Sequence, residues 1–189
     1  MLSDTRSEAP AGGDGLDLLL WLEVLEHHGV TDPDWAEVAL YRVGDGAVVP
    51  EATAGRWAVW ADAMALPPQT ALVPSEGAEN RFLVQLCQVP DPELVNEWMN
   101  EARKATVDVP FRRELWAEVD TVHPAAADRS WGEIHVTRVA DRWALDRIFT
   151  NKAWLEGQAL LDKVVGVSYR MVCRPLVDHG PRGRAFDGT

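Results

Sequence analysis

The run RFLVQLCQVPDPELVNEWMNEARK, residues 81–104, limits the fold more than any other part of the chain. From Phe82 to Val89 apolar residues fall on both alternating faces: Phe82, Val84 and Leu86 on one, Leu83, Cys87 and Val89 on the other. Such a strand suits the interior of a sheet, covered on one side and partly covered on the other. Pro90 has no N–H to offer a neighbouring strand and ends the run. Asp91 then stands at an N-cap position, with Pro92 at the first helical position and Glu93 in the first turn, where acids suit the helix dipole. Leu94, Val95, Trp98, Met99 and Ala102 form one apolar stripe, and Asn96, Glu97, Asn100, Glu101 and Arg103 form the polar remainder. The spacing predicts a strand, a tight turn and a helix that packs on a sheet.

The flanking sequence is read in the same way. Residues 1–15 have the composition of a flexible N-terminal arm, 16–177 read as a single domain, and 178–189 as a C-terminal tail. LDLLLWLEVLEHHG, residues 16–29, reads as a helix capped by Asp14, with Leu18, Trp21, Leu22 and Leu25 as its stripe and Gly29 as a left-handed C-terminal stop. DWAEVALYRV alternates as a strand, turned by Gly44-Asp45-Gly46 towards AVVP as a short hairpin partner. RWAVWADAM fits a strand better than a helix, and 67–80 is a loop rich in turn formers. FRRELWAEV fits either helical turns or a strand; WGEIHVTRV reads as a strand, 141–163 as partly helical, and 164–176 as a closing strand. The expected class is α+β, with a mixed or antiparallel sheet and helices packed mainly on one face.

An apolar fraction of 47% is enough for a core in a chain of 189 residues, while the net charge of −12 repels nucleic-acid backbones. Leu16–Leu25 includes Asp17 and Glu23, lacks a basic lead-in and is too short to span a bilayer, so a cytoplasmic product without a membrane role is expected. Cys87 and Cys173 lie in apolar strand-like runs and read as buried thiols, with a disulfide open to them only if their strands are neighbours. Neither zinc-ligand spacing nor a C-x-x-C pair occurs.

Recognisable catalytic motifs are lacking. The Pro90-Asp91-Pro92 junction removes donors and adds a negative charge, the reverse of a phosphate-cradling loop. There is no G-x-S-x-G elbow. Among five histidines, His27 and His28 close the first expected helix, His123 lies in a loop and His179 in the tail. His135 sits two residues from Glu133 on a strand and shares its face, so the two could act as base and orienter. Without a nucleophile in view, a surface pair weighs more heavily. Asp120, Glu133, Asp141 and Asp146 show no spacing that builds a pocket. No catalytic, cofactor-binding or metal-ligating residue is therefore expected. Of nine tryptophans, Trp21, Trp35, Trp98 and Trp116 fall on apolar stripes and read as core. Trp57, Trp60, Trp131, Trp143 and Trp154 lie in less regular stretches and are candidate interface residues.

The segments LDLLLWLEVLEHHG, EVALYRVGDG, FLVQLCQVPDPELVNEWMNEARK and VVGVSYRMVCRP together resemble the tail terminator proteins of long-tailed bacteriophages. The chain is longer than that family, with the 67–80 loop, the 141–163 segment and the terminal arms as additions. The resemblance implies a non-enzymatic virion protein, assembled in the host cytoplasm as a homo-oligomeric, hexameric ring at the head–tail junction that caps the tail tube. Its partners would be the tail tube and head-connector proteins, with DNA passing through an acidic lumen without specific binding. Two other readings remain open from the residues. One is a small ferredoxin-like enzyme acting on a hydrophobic small molecule, with His135 as base and Glu133 and Trp131 lining the site. The other is an interaction module whose carboxylates imitate DNA.

Overall fold

A computed structural model describes residues 14–29, 35–47, 58–63, 79–88, 111–123, 131–156, 159 and 168–179. Its elements are β1 (Leu16–Gly29), β2 (Glu37–Val43), β3 (Ala58–Ala63), β4 (Arg81–Cys87), β5 (Phe111–His123), β6 (Glu133–Val139), α1 (Arg142–Thr150) and β7 (Ser168–Asp178). The strands form one seven-stranded sheet in the order β2-β1-β7-β4-β6-β5-β3. Every pairing is antiparallel. Strands make up 63% of the described residues and the sheet curls as a half-barrel, which overturns the α+β expectation of helices layered on one face. The predicted helix at 91–103 lies outside the described residues.

The largest correction is β1. Its leucines satisfy two periods at once: Leu18, Trp21, Leu22 and Leu25 at helical spacing, and Leu16, Leu18, Leu20, Leu22 and Val24 at strand spacing. The second period prevails because β2 and β7 offer ladders on both edges of the segment. Intrinsic helix propensity, a few tenths of a kcal/mol per residue, yields to that pairing. Gly29 accordingly pairs with Tyr169 and stops no helix, and Asp14 caps none, lying in the turn before β1. The expected turn at Gly44–Gly46 forms, with Gly46 at a φ of 76°. β2 pairs with β1, and residues 48–50 of the expected AVVP partner lie outside the described residues.

Two apolar clusters lie on opposite faces of the sheet. On one, Leu83, Cys87, Val139 and Val172 pack under Ala144, Leu145 and Ile148 of α1 and under Trp154. On the other, Leu20, Leu22, Phe82, Val84, Leu86, Ile134, Val136, Tyr169 and Met171 form a cluster that Val38 and Leu40 of β2 join from the sheet edge. β4 is buried on both faces, as its two-sided apolar pattern predicts. β6 and β7 both run antiparallel to β4, so they are parallel to each other, with α1 in the connection and β4 between them. The central strands run in the order β7-β4-β6-β5, and β1, β2 and β3 widen the sheet on either side.

Local chemistry sets the ends of α1. The Asp141 carboxylate accepts from the Ala144 N–H at 2.7 Å, a side-chain N-cap. Asn151 ends the helix and its side-chain oxygen accepts from the Ala153 N–H at 2.9 Å, starting a further helical turn at 152–156. On the helix-free face, the Glu114 carboxylate accepts from Arg112 at 2.8 Å and Arg138 at 2.5 Å. Arg138 also donates to Asp178 at 2.9 Å and lies 4.8 Å from the centre of the Phe82 ring. This network joins β5, β6 and β7 at one end of the sheet.

The thiols of Cys87 and Cys173 sit on adjacent strands but in opposite clusters, so no disulfide can form between them. Burial pushes each thiol up to about 12. The folded protein should therefore leave both thiols unlabelled by a disulfide exchange reagent at pH 8, and both should react after urea is added; prompt labelling of either would show that its face is open.

Candidate functional site

Strand register sets a row of polar side chains across the helix-bearing face. Gln85 of β4 pairs with Arg170 of β7 on one side and with His135 of β6 on the other, and His135 pairs in turn with Trp116 of β5. The same face carries Leu83 and Cys87 on either side of Gln85, both members of the apolar cluster under α1. Polar groups thus cross the sheet within apolar surroundings. Gln85 and His135 are each 3% exposed.

His135 has two fixed neighbours. Its Nε2 lies 2.8 Å from Oε2 of Glu133, two residues earlier on the same face. A carboxylate only accepts, so Nε2 carries the hydrogen and the lone pair of the neutral ring is on Nδ1. The Trp116 ring stacks on the imidazole, with centroids 5.9 Å apart and planes inclined by 18°. Burial holds the imidazole below its ordinary value of 6.5; the Glu133 hydrogen bond and charge oppose this, and the Arg113 charge adds to it. At neutral pH His135 is therefore an uncharged base tied to a carboxylate. Glu133 also acts on Cys87, whose thiol is raised first by burial and then by that negative charge.

Among the described residues, Nε2 of Gln85 and Nε1 of Trp116 on this row have no acceptor. They flank His135 from β4 and β5. Arg113, Glu133 and Trp116 are half-buried, so the β5 end of the row reaches the surface.

The His135–Glu133 pair expected from strand parity is thus present, with His135 buried and Glu133 half-buried. Trp131, expected beside it, packs in the cluster on the opposite face. Trp116, expected in the core, is half-buried against His135 instead. Gln85 and Trp116 are the site residues that sequence reasoning missed, because their nearness to His135 depends on pairing between distant strands. His27 and His28 lie on a strand, not at a helix end: Tyr169 Oη and His27 Nδ1 are 2.5 Å apart, and His28 packs at 5.1 Å from Phe149.

The candidate interface tryptophans separate by burial. Trp131 and Trp154 belong to the two core clusters. Trp143 projects from α1 at 65% exposure, with the Arg147 guanidinium 4.8 Å from its ring centre. Trp57 and the side chain of Trp60 lie outside the described residues. Of the core candidates, Trp21 is buried and donates to Glu37 at 3.1 Å, Trp35 packs on Tyr169 at 4.9 Å, and Trp98 lies outside the described residues.

Among the described residues no group of three or more His, Cys, Asp or Glu side chains is placed to hold a metal ion. Among those residues, no helix is long and apolar enough to cross a membrane. Comparison with family models, curated proteins and solved structures finds no match to this chain.

The depressed His135 value has a direct consequence for stability. The unfolded imidazole takes up a proton as pH falls through 6.5, whereas the folded one resists it, so the unfolded state binds more protons below that pH. Stability should be fully retained above pH 6.5 and should decline on acidification towards the folded value. Urea denaturation of the wild type and His135→Gln between pH 7.5 and 5 checks this; the variant should show a shallower decline, and identical slopes would contradict the assignment.

Proposed function

We propose that this protein binds a small molecule on the helix-bearing face and uses His135, oriented by Glu133, as the acceptor of a proton from it. The observation that carries this reading is the buried His135, held by a half-buried Glu133, on a face where the Gln85 amide has no acceptor among the described residues. A base needs a held tautomer and a partner for its imidazolium, and the Glu133 carboxylate supplies both. The surrounding apolar cluster lowers the local dielectric and strengthens each polar contact made there. Thermal-shift screening of a small-molecule library tests the reading. Compounds that raise the melting temperature of the wild type should lose most of that effect in His135→Gln and Glu133→Gln. Equal stabilisation of all three proteins, or no stabilising compound at all, would reject it.

A second reading is favoured by one separate observation, the exposed Trp143 beneath Arg147 on α1. Tryptophan and arginine are enriched at the energetic centres of protein interfaces. On this reading the chain is a non-enzymatic assembly subunit of the kind its resemblance to phage tail terminators implies, a homo-oligomeric ring at the head–tail junction that contacts the tail tube and head connector. The structure of the opening segment as β1 weakens that resemblance at one of its four segments, and residues 91–104 of another lie outside the described residues. Light scattering after size exclusion should show an oligomer that Trp143→Ala shifts towards the 20.9 kDa monomer. A wild-type protein that stays monomeric at millimolar concentration would remove this reading.

A further inference from the structure

Resting on the reading of α1 as an assembly surface, we infer that Trp143 and Arg147 of one copy dock on the Asp62–Glu118 edge of a second copy.

The chain has 18 bases against 30 acids, so a base without an acid stands out. On the sheet, Arg81 meets Glu79, Arg138 meets Glu114 and Asp178, and Arg174 meets Glu23. On the helical segment, Arg142 meets Glu26 and Asp146, and Lys152 meets Glu156. Arg147, in the last turn of α1, meets no carboxylate among the described residues. Its side chain instead lies over the ring of Trp143, 4.8 Å from the ring centre, and Trp143 is 65% exposed. That contact leaves the guanidinium N–H groups for an acceptor, and a carboxylate matches their planar fork.

The opposite imbalance lies at the β3 edge of the sheet. Asp62 of β3 pairs with Glu118 of β5, and Glu118 pairs with Glu133 of β6. Three acids thus stand in line on one face of neighbouring strands, and like charges set opposite each other destabilise a sheet. Glu133 is held by His135, a ring that burial keeps neutral, so its charge stays in place. Arg113, further along the same face of β5, has an interaction of its own. Asp62 and Glu118 are exposed, and neither meets a cation among the described residues. Half-buried Trp116, two residues before Glu118 on the same face, sets aromatic surface beside the acids.

The two patches complement each other: an exposed tryptophan with a cation, and acids beside an aromatic ring. They lie apart within one chain. α1 sits over Leu83, Cys87, Val139 and Val172 of β4, β6 and β7, whereas Asp62 and Glu118 lie beyond β6 on β3 and β5. A contact between copies therefore joins two different surfaces and leaves each copy one patch still to offer, the heterologous geometry that builds rings or filaments. A nucleic acid or an anionic membrane suits the patch poorly, because one cation stands there against a net charge of −12. A second copy brings two local acids, and its remaining charge is screened beyond about 10 Å at 0.1 M salt.

Light scattering of the full chain over a range of concentrations tests the contact by charge reversal. Arg147→Glu and Glu118→Arg should each weaken association about tenfold. An equimolar mixture of the two variants again sets opposite charges together at every contact of an alternating assembly, so association should return. Glu118→Arg also breaks the line of acids, so its melting temperature should be no lower than that of the wild type. Loss in each variant and recovery on mixing would support the contact. Association that neither reversal weakens, or that Trp143→Ala alone weakens, would overturn it and leave the assembly reading standing. Loss in both variants without recovery on mixing would overturn it too. A wild type that stays monomeric at millimolar concentration would remove the contact and the assembly reading together.

Discussion

The sheet depends on β4, which gives its backbone to β6 on one edge and to β7 on the other while both of its faces are buried. β6 and β7 run parallel to each other, with β4 antiparallel between them and bonded to both. The connection through α1 then has to pass over one face, where Leu83 and Cys87 of β4 help to seat it. On the other face Phe82, Val84 and Leu86 belong to the second apolar cluster. A polar residue in the middle of such a strand is costly to place, and Gln85 stands there.

Two buried polar clusters in this protein show opposite solutions to that cost. At one end of the sheet, Glu114 is enclosed between Arg112 and Arg138, and Arg138 extends to Asp178. Acceptors and donors are matched there, and the network ties together strands far apart in sequence. Along the helix-bearing face, Glu133 matches His135, yet the amide of Gln85 and the indole of Trp116 find no acceptor among the described residues. A matched cluster closes structure. An unmatched one, held in place by packing, has something left to offer to a ligand.

Electrostatics gives His135 its chemical character. In water a histidine beside a glutamate would titrate upward, but here burial outweighs the carboxylate and keeps the ring neutral. The Glu133 contact then acts chiefly on geometry, fixing which nitrogen holds the hydrogen and how the ring is aimed. Stacking by Trp116 restrains the ring from the side. Position, tautomer and charge state all follow from neighbours on three strands.

Much of the strand content was legible from residue order alone. The two-sided apolar run at β4 and the alternation at β6 and β7 specify strands because side chains on a strand repeat every second residue. Glu133 and His135 were bound to share a face for the same reason. β1 was not legible, since its leucines fit both periods and the choice fell to the strands that flank it. Within 141–163, read as partly helical, Asn151 ends α1 and its side chain caps the turn that follows. Period decides which residues of one strand lie together; register decides which strands' residues meet. The opposite faces of Cys87 and Cys173, and the meeting of Gln85, His135 and Trp116, were therefore settled only when backbone hydrogen bonds aligned β4 with β6 and β7, and β5 with β6.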